Sequence, residues 1–315
     1  MPTTYIIGHQ KPDTDAVVAA LAYEYLAKNL DCLAHPNPTA VIVDPLNPET
    51  SYLFDKLDLQ APKLIRANEI NADDQVILVD HNEENQRLEG LNPDQIVKII
   101  DHHKVNLNLN QPIFLNFKPW GSTSTIIFYM MKLHQVKPTQ KLATLMLAAI
   151  LSDTVGFKSA TTTDKDRELA QELAEIAQIE DVDGFALEIF KAKSNVNDLT
   201  DYQLATNDYK IFDFGDQKVF INQVETVEQA EILAKRKAGL FQALNQVKQE
   251  MEVDMAFLAL SDILNVNTKL LLPSELEVQV AEKAFGGQAI DNVLDIGPKL
   301  SRKKEIAPAL EKTLN

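Results

Sequence analysis

Short apolar runs alternate with segments of helical periodicity over the first 190 residues of the chain. Consecutive hydrophobic residues are typical of strands buried on both faces, and such runs are "TTYIIG" (3–8), "TAVIVD" (39–44), "QVILVD" (75–80) and "DQIVKIID" (94–101). Helical segments such as "DAVVAALAYEYLAKN" (15–29) and "PETSYLFDKL" (48–57) lie between them. The alternation predicts βαβ units and a mostly parallel sheet flanked by helices.

The pattern changes further along the chain, first to helix and then to a second set of strands. From residue 122 to 190 the periodicity is almost entirely helical, and the polar stretch "SNVNDLTD" (194–201) has no periodicity. A hairpin turning at Gly215-Asp216, a long helix at about 227–249, two strands and a closing helix follow. We therefore predict an α/β fold with an N-terminal domain over 1–190, a linker over 191–198 and a smaller mixed α/β domain over 199–315.

The composition is that of a soluble globular protein, with 45% hydrophobic and 24% charged residues. No apolar run approaches the ~20 residues that a bilayer-spanning helix needs, and we expect no signal peptide in "MPTTYIIGHQ". The single cysteine, Cys32, excludes an internal disulfide and fits a reducing cytoplasm. The formal net charge of −16 argues against nucleic acid as a partner, whereas a small anion responds to local charge and stays compatible.

Three of the predicted parallel strands end in aspartate and histidine, in "YIIGH", "ILVDH" and "KIIDHH". In open α/β sheets, functional groups gather at the carboxyl ends of the strands, where the loops open into a crevice. We therefore expect the following side chains to converge: His9, Asp13, Asp15, Asp80, His81, Asp101, His102 and His103. Asp153, which ends an apolar helical segment, is expected in the same crevice.

So many carboxylates in one place would repel each other unless divalent cations bind among them. Oxygen and imidazole ligands without thiolate favour Mn²⁺, Mg²⁺ or Co²⁺ over a structural zinc ion. The carboxylates suffice for two metal ions that share one ligand, an arrangement used for displacement at phosphorus. Taken singly, Asp13 or Asp15 would be a helix N-cap, and Asp44 in "VIVDP" is predicted to be a turn residue.

The basic run "SRKK" (301–304) is unusual in this acidic chain. Such a run before a helix is most often exposed to solvent. Cations gain nothing from a helix N-terminus, however, while the arginine fork and the lysine charge both fit phosphate oxygens. We therefore predict that Arg302 and Lys303 bind phosphate and that Lys304 faces solvent.

The motifs "HQKPDTDA", "VDHNE", "DHHKV" and "SRKK" together resemble the DHH phosphoesterase superfamily, specifically its family II, manganese-dependent inorganic pyrophosphatases. The resemblance implies two metal ions that share Asp80, one bound by His9, Asp13 and Asp80, the other by Asp15, Asp80, His102 and Asp153. It also implies that His103 faces the substrate as a proton donor and that Lys210 binds phosphate together with Arg302 and Lys303. Asp101 is expected to hydrogen-bond a nearby histidine, and His81 to lie beside the ligands without binding metal.

This resemblance further implies hydrolysis of pyrophosphate to two orthophosphates by a hydroxide shared between two Mn²⁺ ions, at a cleft between the domains. We expect Co²⁺ to be able to replace Mn²⁺ and Mg²⁺ to accompany the substrate. The expected assembly is a cytoplasmic homodimer that forms through the N-terminal domain, and we expect no nucleic-acid or membrane partner. The alternatives are a DHH-type phosphodiesterase, a short-chain exopolyphosphatase or a non-catalytic metal- or phosphate-binding regulator. Nuclease-type relatives carry a "GGGH" element, whereas "FGGQA" (285–289) has no histidine here, and the unbroken ligand set disfavours the regulator.

Overall fold

The computed structural model describes residues 2–30, 35–193, 196 and 199–314. The chain divides into two compact units, Met1–Lys193 and Ser194–Asn315. Cys32 and four residues of the predicted linker (194, 195, 197 and 198) lie outside the described residues. The first three residues of the linker, 191–193, belong to a helix. None of the described helices is long and apolar enough to cross a membrane.

The N-terminal unit is a parallel sheet with helices, as the apolar runs predict. Its described strands are β1 (Thr4–Ile7), β2 (Pro38–Ile42), β3 (Lys63–Leu64), β4 (Gln75–Val79), β5 (Ile96–Asp101) and β6 (Phe114–Phe117). Its described helices are α1 (Thr14–Lys28), α2 (Pro48–Lys56), α3 (Thr123–Leu133), α4 (Gln140–Asp153), α5 (Asp164–Ala177) and α6 (Val182–Lys193).

The described strands of this sheet follow the order β3-β2-β1-β4-β5-β6, and every pair is parallel. The strand order reverses between β1 and β4, and ligands of doubly wound sheets bind at such a reversal, beyond the carboxyl ends of the strands. His9 follows β1 and Asp80 follows β4, so both lie at this point. The topology therefore brings together the strand-end residues that the sequence singles out.

The connection from β1 to α1 is unusually tight, and it depends on Gly8. A Cβ atom at this position would lie 2.8 Å from both the Cβ and the backbone oxygen of Ala16. Asp13 then starts the helix as its N-cap, because its Oδ1 accepts a hydrogen bond from the Ala16 backbone N–H at 2.9 Å. The short loop between Gly8 and Asp13 thus holds His9 close to the helix that carries Asp15.

The C-terminal unit is a mixed sheet of described strands in the order β11-β10-β9-β8-β7, with only β8 and β9 parallel among these pairs. Its described strands are β7 (Tyr209–Phe214), β8 (Gln217–Thr226), β9 (Met255–Asp262), β10 (Asn267–Leu271) and β11 (Val293–Asp295). Its described helices are α7 (Asp201–Thr206), α8 (Gln229–Glu250), α9 (Glu275–Phe285) and α10 (Ala307–Leu314), the last preceded by a π-helical turn at Arg302–Ile306.

The two central strands of this second sheet are buried on both faces because helices cover each side. Phe220 and Leu258 belong to one apolar cluster with Leu244 of α8, whereas Ile221 and Phe257 belong to another with Leu310 of α10. Neighbouring residues of a strand point to opposite faces, so a continuous apolar run is what such a strand requires. The predicted α/β class with a mixed second domain is confirmed, and so is the hairpin turn at Gly215-Asp216.

Candidate metal centre

Imidazole and carboxylate groups converge near the strand ends at separations longer than those of most hydrogen bonds. His9 Nε2 lies 3.5 Å from Asp13 Oδ2 and 3.8 Å from Asp80 Oδ2. His102 Nε2 lies 3.3 Å from Asp80 Oδ1 and 3.6 Å from Asp153 Oδ2. Octahedral ligands about 2.1 Å from one ion are separated by roughly 3 Å, so these groups are spaced more like metal ligands than like hydrogen-bonding partners.

The described side chains form three groups whose ligand atoms all lie within 4.8 Å of one another. These groups are His9 with Asp13 and Asp80; Asp15 with Asp80, His102 and Asp153; and Asp80 with His102 and His103. Asp80 belongs to each of them, which is the position that a ligand shared by two ions would occupy.

Two histidine rings are held in the tautomer that binds metal through Nε2. His9 Nδ1 donates to the backbone oxygen of Gln10 at 2.7 Å, and His102 Nδ1 donates to that of Trp120 at 2.9 Å. A carbonyl oxygen can only accept, so each ring carries its hydrogen on Nδ1 and leaves Nε2 with a free lone pair. Backbone carbonyls thus fix both rings in the form that a cation requires.

Two candidate ligand atoms are buried without a hydrogen-bonding partner among the described residues, namely Asp80 Oδ2 and His102 Nε2. A buried polar atom without a partner is costly to a folded protein and calls for a specific explanation. Both atoms belong to the groups described above, and a divalent cation would satisfy them. The donor set, oxygen and imidazole without thiolate, fits Mn²⁺.

Electrostatics also show that this site needs positive charge. Burial raises the pKa of Asp80 well above its ordinary value, and the charges of Asp15 and Asp13 raise it further. Burial and the same two carboxylates raise the pKa of Asp153 well above its usual range. Burial lowers the pKa of His9, but its contacts with Asp13 outweigh burial and leave that pKa raised. The carboxylates therefore resist ionisation together unless a cation lies between them.

The start of α3 contacts the carboxylates directly, which the sequence does not reveal. Asp15 accepts hydrogen bonds from Ser122 Oγ at 2.9 Å, from the Thr123 backbone N–H at 2.6 Å and from the Ser124 backbone N–H at 3.0 Å. Thr123 Oγ1 donates to Asp80 Oδ1 at 2.9 Å. The only sequence signal is a cluster of hydroxyl residues, "STST", which is typical of any helix N-terminus.

Asp101 lies beneath the histidine pair and contacts both His103 and Asn82. Its Oδ1 lies 2.9 Å from His103 Nδ1, and its Oδ2 accepts a hydrogen bond from Asn82 Nδ2 at 2.6 Å. Asn82, for which the sequence predicts no role, also binds the loop through the Lys104 oxygen and the Asn106 backbone N–H. The His103 side chain is 50% exposed, so its second nitrogen is open to a ligand.

His81 is buried beside the ligands, and Asp44 lies beneath the first loop. His81 Nδ1 donates to the Val79 oxygen at 2.9 Å, its ring stands edge-on to that of His9, and burial lowers its pKa to about 4. Asp44 Oδ2 accepts a hydrogen bond from the Lys11 backbone N–H at 2.8 Å. The loop that carries His9 and Asp13 is thus held by a residue predicted only to shape a turn.

A cavity of about 610 Å³ opens in front of the N-terminal unit's ligands. Its lining includes Asp13, His102, His103 and Asp153, together with Lys104 and the threonine loop 161–163. Its volume lies within the range of small-molecule sites, and polar groups point into it from several elements.

In the C-terminal unit, the predicted phosphate-binding residues lie close to one another. Arg302 donates through both terminal nitrogens to Asp208, to its backbone oxygen and, at 2.9 Å, to its Oδ1. Lys210 lies two residues further on at the start of β7, and its side chain is exposed. Lys303 and Lys304 are exposed as well. This unit therefore carries three of its cations, Lys210, Arg302 and Lys303, at the start of β7 and in the basic run 301–304.

Comparisons with known proteins agree with this arrangement. The DHH family N-terminal domain matches residues 3–150, and the DHHA2 domain matches residues 187–313. The manganese-dependent inorganic pyrophosphatase of Methanocaldococcus jannaschii is 37% identical over 99% of both chains, and that of Bacillus subtilis is 38% identical over 98% of both. A solved structure from Methanococcus jannaschii, described as a family II inorganic pyrophosphatase, is 34% identical with a TM-score of 0.60 and covers 99% of this chain and 100% of that one.

These similarities extend over essentially the full length of the chain and include both units. They also match the chemistry of the site, since the ligands that converge are those expected for Mn²⁺ and not those of a thiolate zinc site. The chain belongs to the family of manganese-dependent inorganic pyrophosphatases.

Proposed function

We propose that the protein hydrolyses inorganic pyrophosphate to two orthophosphates with two Mn²⁺ ions bound at the strand ends. The observation that carries this proposal is the position of Asp80, which belongs to every group of described residues able to hold a metal ion. One ion would be held by His9, Asp13 and Asp80, and the other by Asp15, Asp80, His102 and Asp153. When bound, such a metal pair lowers the pKa of water and neutralises charge on phosphoryl oxygens.

The chain's own residues prepare this chemistry by fixing the ligands and by holding a proton at the leaving group. Asp101 accepts a hydrogen bond from His103 Nδ1 and orients the ring, so that Nε2 is directed away from Asp101. A proton on His103 Nε2 would pass to the departing phosphate, and the partial exposure of the ring supports this role. Asp80 would act as the shared ligand, and Asp101 as the residue that positions the donor.

The C-terminal unit would bind the phosphoryl groups through Lys210, Arg302 and Lys303. Asp208 fixes the Arg302 guanidinium through two of its five N–H donors, which orients the fork and leaves donors for phosphate oxygens. We therefore retain a metal-binding domain over 1–190 and a phosphate-binding domain over 199–315, joined at 191–198. The separation into the units Met1–Lys193 and Ser194–Asn315 supports this division.

We further propose that the protein is a cytoplasmic homodimer whose two copies contact each other through the N-terminal domain. The strand β6 lies at an edge of the described sheet and exposes Phe114 and Leu115, at 54% and 45%. An open strand edge with apolar side chains favours pairing with another chain. The single cysteine supports a reducing compartment, and the net charge of −16 argues against a nucleic-acid partner. Co²⁺ would substitute for Mn²⁺, and Mg²⁺ would accompany the substrate.

The decisive experiment uses equal concentrations of three substrates with Mn²⁺ present, and it measures phosphate release from pyrophosphate and tripolyphosphate and nucleoside monophosphate release from a dinucleotide. We expect pyrophosphate to have the highest kcat/KM and the dinucleotide to release no product. A preference for tripolyphosphate would favour an exopolyphosphatase, and cleavage of the dinucleotide would favour a phosphodiesterase. Tight Mn²⁺ binding without turnover of any of the three would indicate a non-catalytic regulator.

A further inference from the structure

Asp166, in the first turn of α5, is fully buried and contacts two separate parts of the N-terminal unit. Its Oδ2 accepts hydrogen bonds from the Gly121 backbone N–H at 2.9 Å, from the Thr163 backbone N–H at 2.8 Å and from Thr163 Oγ1 at 2.6 Å. Its Oδ1 accepts one from Thr125 Oγ1 at 2.7 Å. None of the three residues that donate these hydrogen bonds is a predicted metal ligand.

The ordinary explanation for Asp166 is a capping box, which accounts for part of this pattern. Thr163 is the N-cap of α5, and Asp166 is the third residue of that helix, whose side chain returns to the N-cap backbone. The box explains the two contacts with Thr163. It does not explain the contacts with Gly121 and Thr125, which belong to a segment about forty residues earlier in the chain.

The sequence of that earlier segment fits the contact closely. A Cβ atom at position 121 would lie 2.9 Å from Asp166 Oδ2 and 2.7 Å from Thr154 Cγ2, so only glycine allows the approach. Thr125 is fully buried, and its hydroxyl group faces the carboxylate. Asp166 therefore holds both ends of the segment Gly121–Thr125.

The residues between these two ends are the ones that contact the ligands. Ser122, Thr123 and Ser124 donate to Asp15, and Thr123 also donates to Asp80. A shift of the segment would therefore move the donors that orient both carboxylates. Residues that orient metal ligands in this way commonly change metal affinity 10–100-fold when they are replaced.

We propose that Asp166 is a positioning residue for the metal ligands Asp15 and Asp80, acting through the segment Gly121–Thr125. This inference rests on the proposed metal site and deepens it. Two Mn²⁺ affinities are concerned, one for the ion held by Asp15, Asp80, His102 and Asp153 and one for the ion held by His9, Asp13 and Asp80. The inference predicts that replacing Asp166 weakens the first affinity more than the second. The test removes the two threonine contacts of Asp166 one at a time, through the isosteric variants Thr125→Val and Thr163→Val.

Mn²⁺ binding is titrated by electron paramagnetic resonance of the free ion, and thermal unfolding is recorded for each metal-free protein. Thr125→Val removes the hydrogen bond between Asp166 and the segment that contacts the ligands, and it is expected to raise the Kd of one of two Mn²⁺ ions about 10–100-fold. Thr163→Val removes a capping contact and is expected to lower the Tm while both Kd values stay near those of the wild type. Asp166→Ala should weaken one ion like Thr125→Val, and Asp166→Asn should recover most of the affinity, since an amide can accept from both backbone N–H groups and donate to Thr125 Oγ1.

Equal Mn²⁺ affinity in Thr125→Val and the wild type would overturn the inference and leave Asp166 as a capping residue. So would an equal loss of affinity in Thr125→Val and Thr163→Val, because it would reflect general destabilisation. If Asp166→Ala does not fold, the two threonine variants still decide. A wild-type protein that binds no Mn²⁺ would overturn the proposed function and this inference together, and it is recognised before any variant is compared.

Discussion

At the scale of single residues, the position of Asp13 is compatible with both of the roles that the sequence presents as alternatives. Its Oδ1 caps α1 through the Ala16 backbone N–H, and its Oδ2 lies 3.5 Å from His9 Nε2. A carboxylate has two oxygens, so capping a helix does not prevent metal binding. The contact with the helix N-terminus also favours the ionised form that a cation requires.

Asp80 combines its central position with an uncommon backbone conformation. Its φ of 63° lies in the left-handed region, and so do those of Val155 and Phe157, which follow Asp153. Such conformations cost about 1–3 kcal/mol each and persist where the surrounding structure enforces them. Their occurrence directly after β4 and after Asp153 places strained backbone beside the two most strongly perturbed carboxylates.

We predict that Asp80→Asn abolishes Mn²⁺-dependent phosphate release without unfolding the protein. The amide cannot serve as an anionic ligand, and loss of metal-based charge stabilisation worth several kcal/mol reduces the rate roughly a thousandfold or more. The metal-free variant should be at least as stable as the wild type in thermal unfolding, because a buried carboxylate that repels its neighbours has been neutralised.

The exposed residue Asp55 of α2 provides the matched control for this variant, and Asp55→Asn should keep both activity and Mn²⁺ binding. Activity of Asp80→Asn within a few-fold of the wild type would contradict the assignment of Asp80 as a shared ligand.

At the scale of elements, sequence patterns predict the buried strands well and the short or mixed elements poorly. The strands β1, β4 and β5 are apolar on both faces, and the patterns place them correctly. The edge strand β6, "FLNF", is half exposed and too short to give a periodic signal. The hydrophobic pattern also does not predict the helix α9. In "ELEVQVAEKAF" polar and apolar residues alternate at first, and one of the buried positions is a glutamate, Glu277.

Glu277 is buried, and its carboxylate pairs with the partly exposed Lys248. Its Oε1 lies 2.6 Å from Lys248 Nζ and also accepts a hydrogen bond from the Ala256 backbone N–H at 3.2 Å. We predict that Glu277→Gln lowers the free energy of unfolding by about 1–3 kcal/mol, because the buried position loses its ion pair and its charge-assisted hydrogen bonds. Urea denaturation measures this change.

The exposed pair Lys235–Glu231 has the same separation of 2.6 Å and provides the comparison. Glu231→Gln should leave the free energy of unfolding nearly unchanged, because an exposed ion pair is screened by water. Equal losses in the two glutamine variants would show that burial does not govern the Glu277 pair.

A second buried cluster joins β5 to α1 and predicts a dependence of stability on pH. Lys98 Nζ lies 2.6 Å from Tyr23 OH and 3.2 Å from His35 Nε2. Burial and the nearby Lys98 charge lower the pKa of His35 from 6.5 to about 4. The unfolded chain therefore binds a proton between pH 6.5 and 4 that the folded protein excludes, so stability is present above this window and is lost as the pH falls through it.

We expect the wild type to lose up to about 2 kcal/mol more than His35→Gln between pH 7 and pH 5, because the variant has no imidazole to protonate. Urea denaturation at the two pH values measures the difference. The exposed His134 supplies the control, and His134→Gln should keep the pH dependence of the wild type. The same pH dependence in His35→Gln and the wild type would contradict the role given to this cluster.

At the scale of the whole molecule, the chain's net charge of −16 is the sum of two different local environments, one rich in carboxylates and one rich in basic side chains. One unit concentrates carboxylates at the reversal of its strand order and requires cations there. The other carries Lys210, Arg302 and Lys303, which we propose bind anionic phosphate. In the proposed function, substrate and metal would thus be recognised by separate compact units, each of which has its own apolar core.

The sequence predicts the convergence of the candidate ligand side chains because parallel strands bring their ends to one edge of the sheet, whatever their separation along the chain. It does not predict Ser122, Thr123 or Asp166, since hydroxyl and acidic residues at helix starts are typical of ordinary caps. Their contacts with Asp15, Asp80 and Gly121 depend on how α3 and α5 pack, and that packing is a tertiary property.

The most direct test of the account locates the metal itself, by anomalous scattering from crystals of the protein grown with Mn²⁺. We predict two peaks per chain, one contacted by His9, Asp13 and Asp80 and the other by Asp15, Asp80, His102 and Asp153. Asp80 should contact both peaks. A single peak, or two peaks with no ligand in common, would contradict the shared metal centre on which the proposed hydrolysis of pyrophosphate depends.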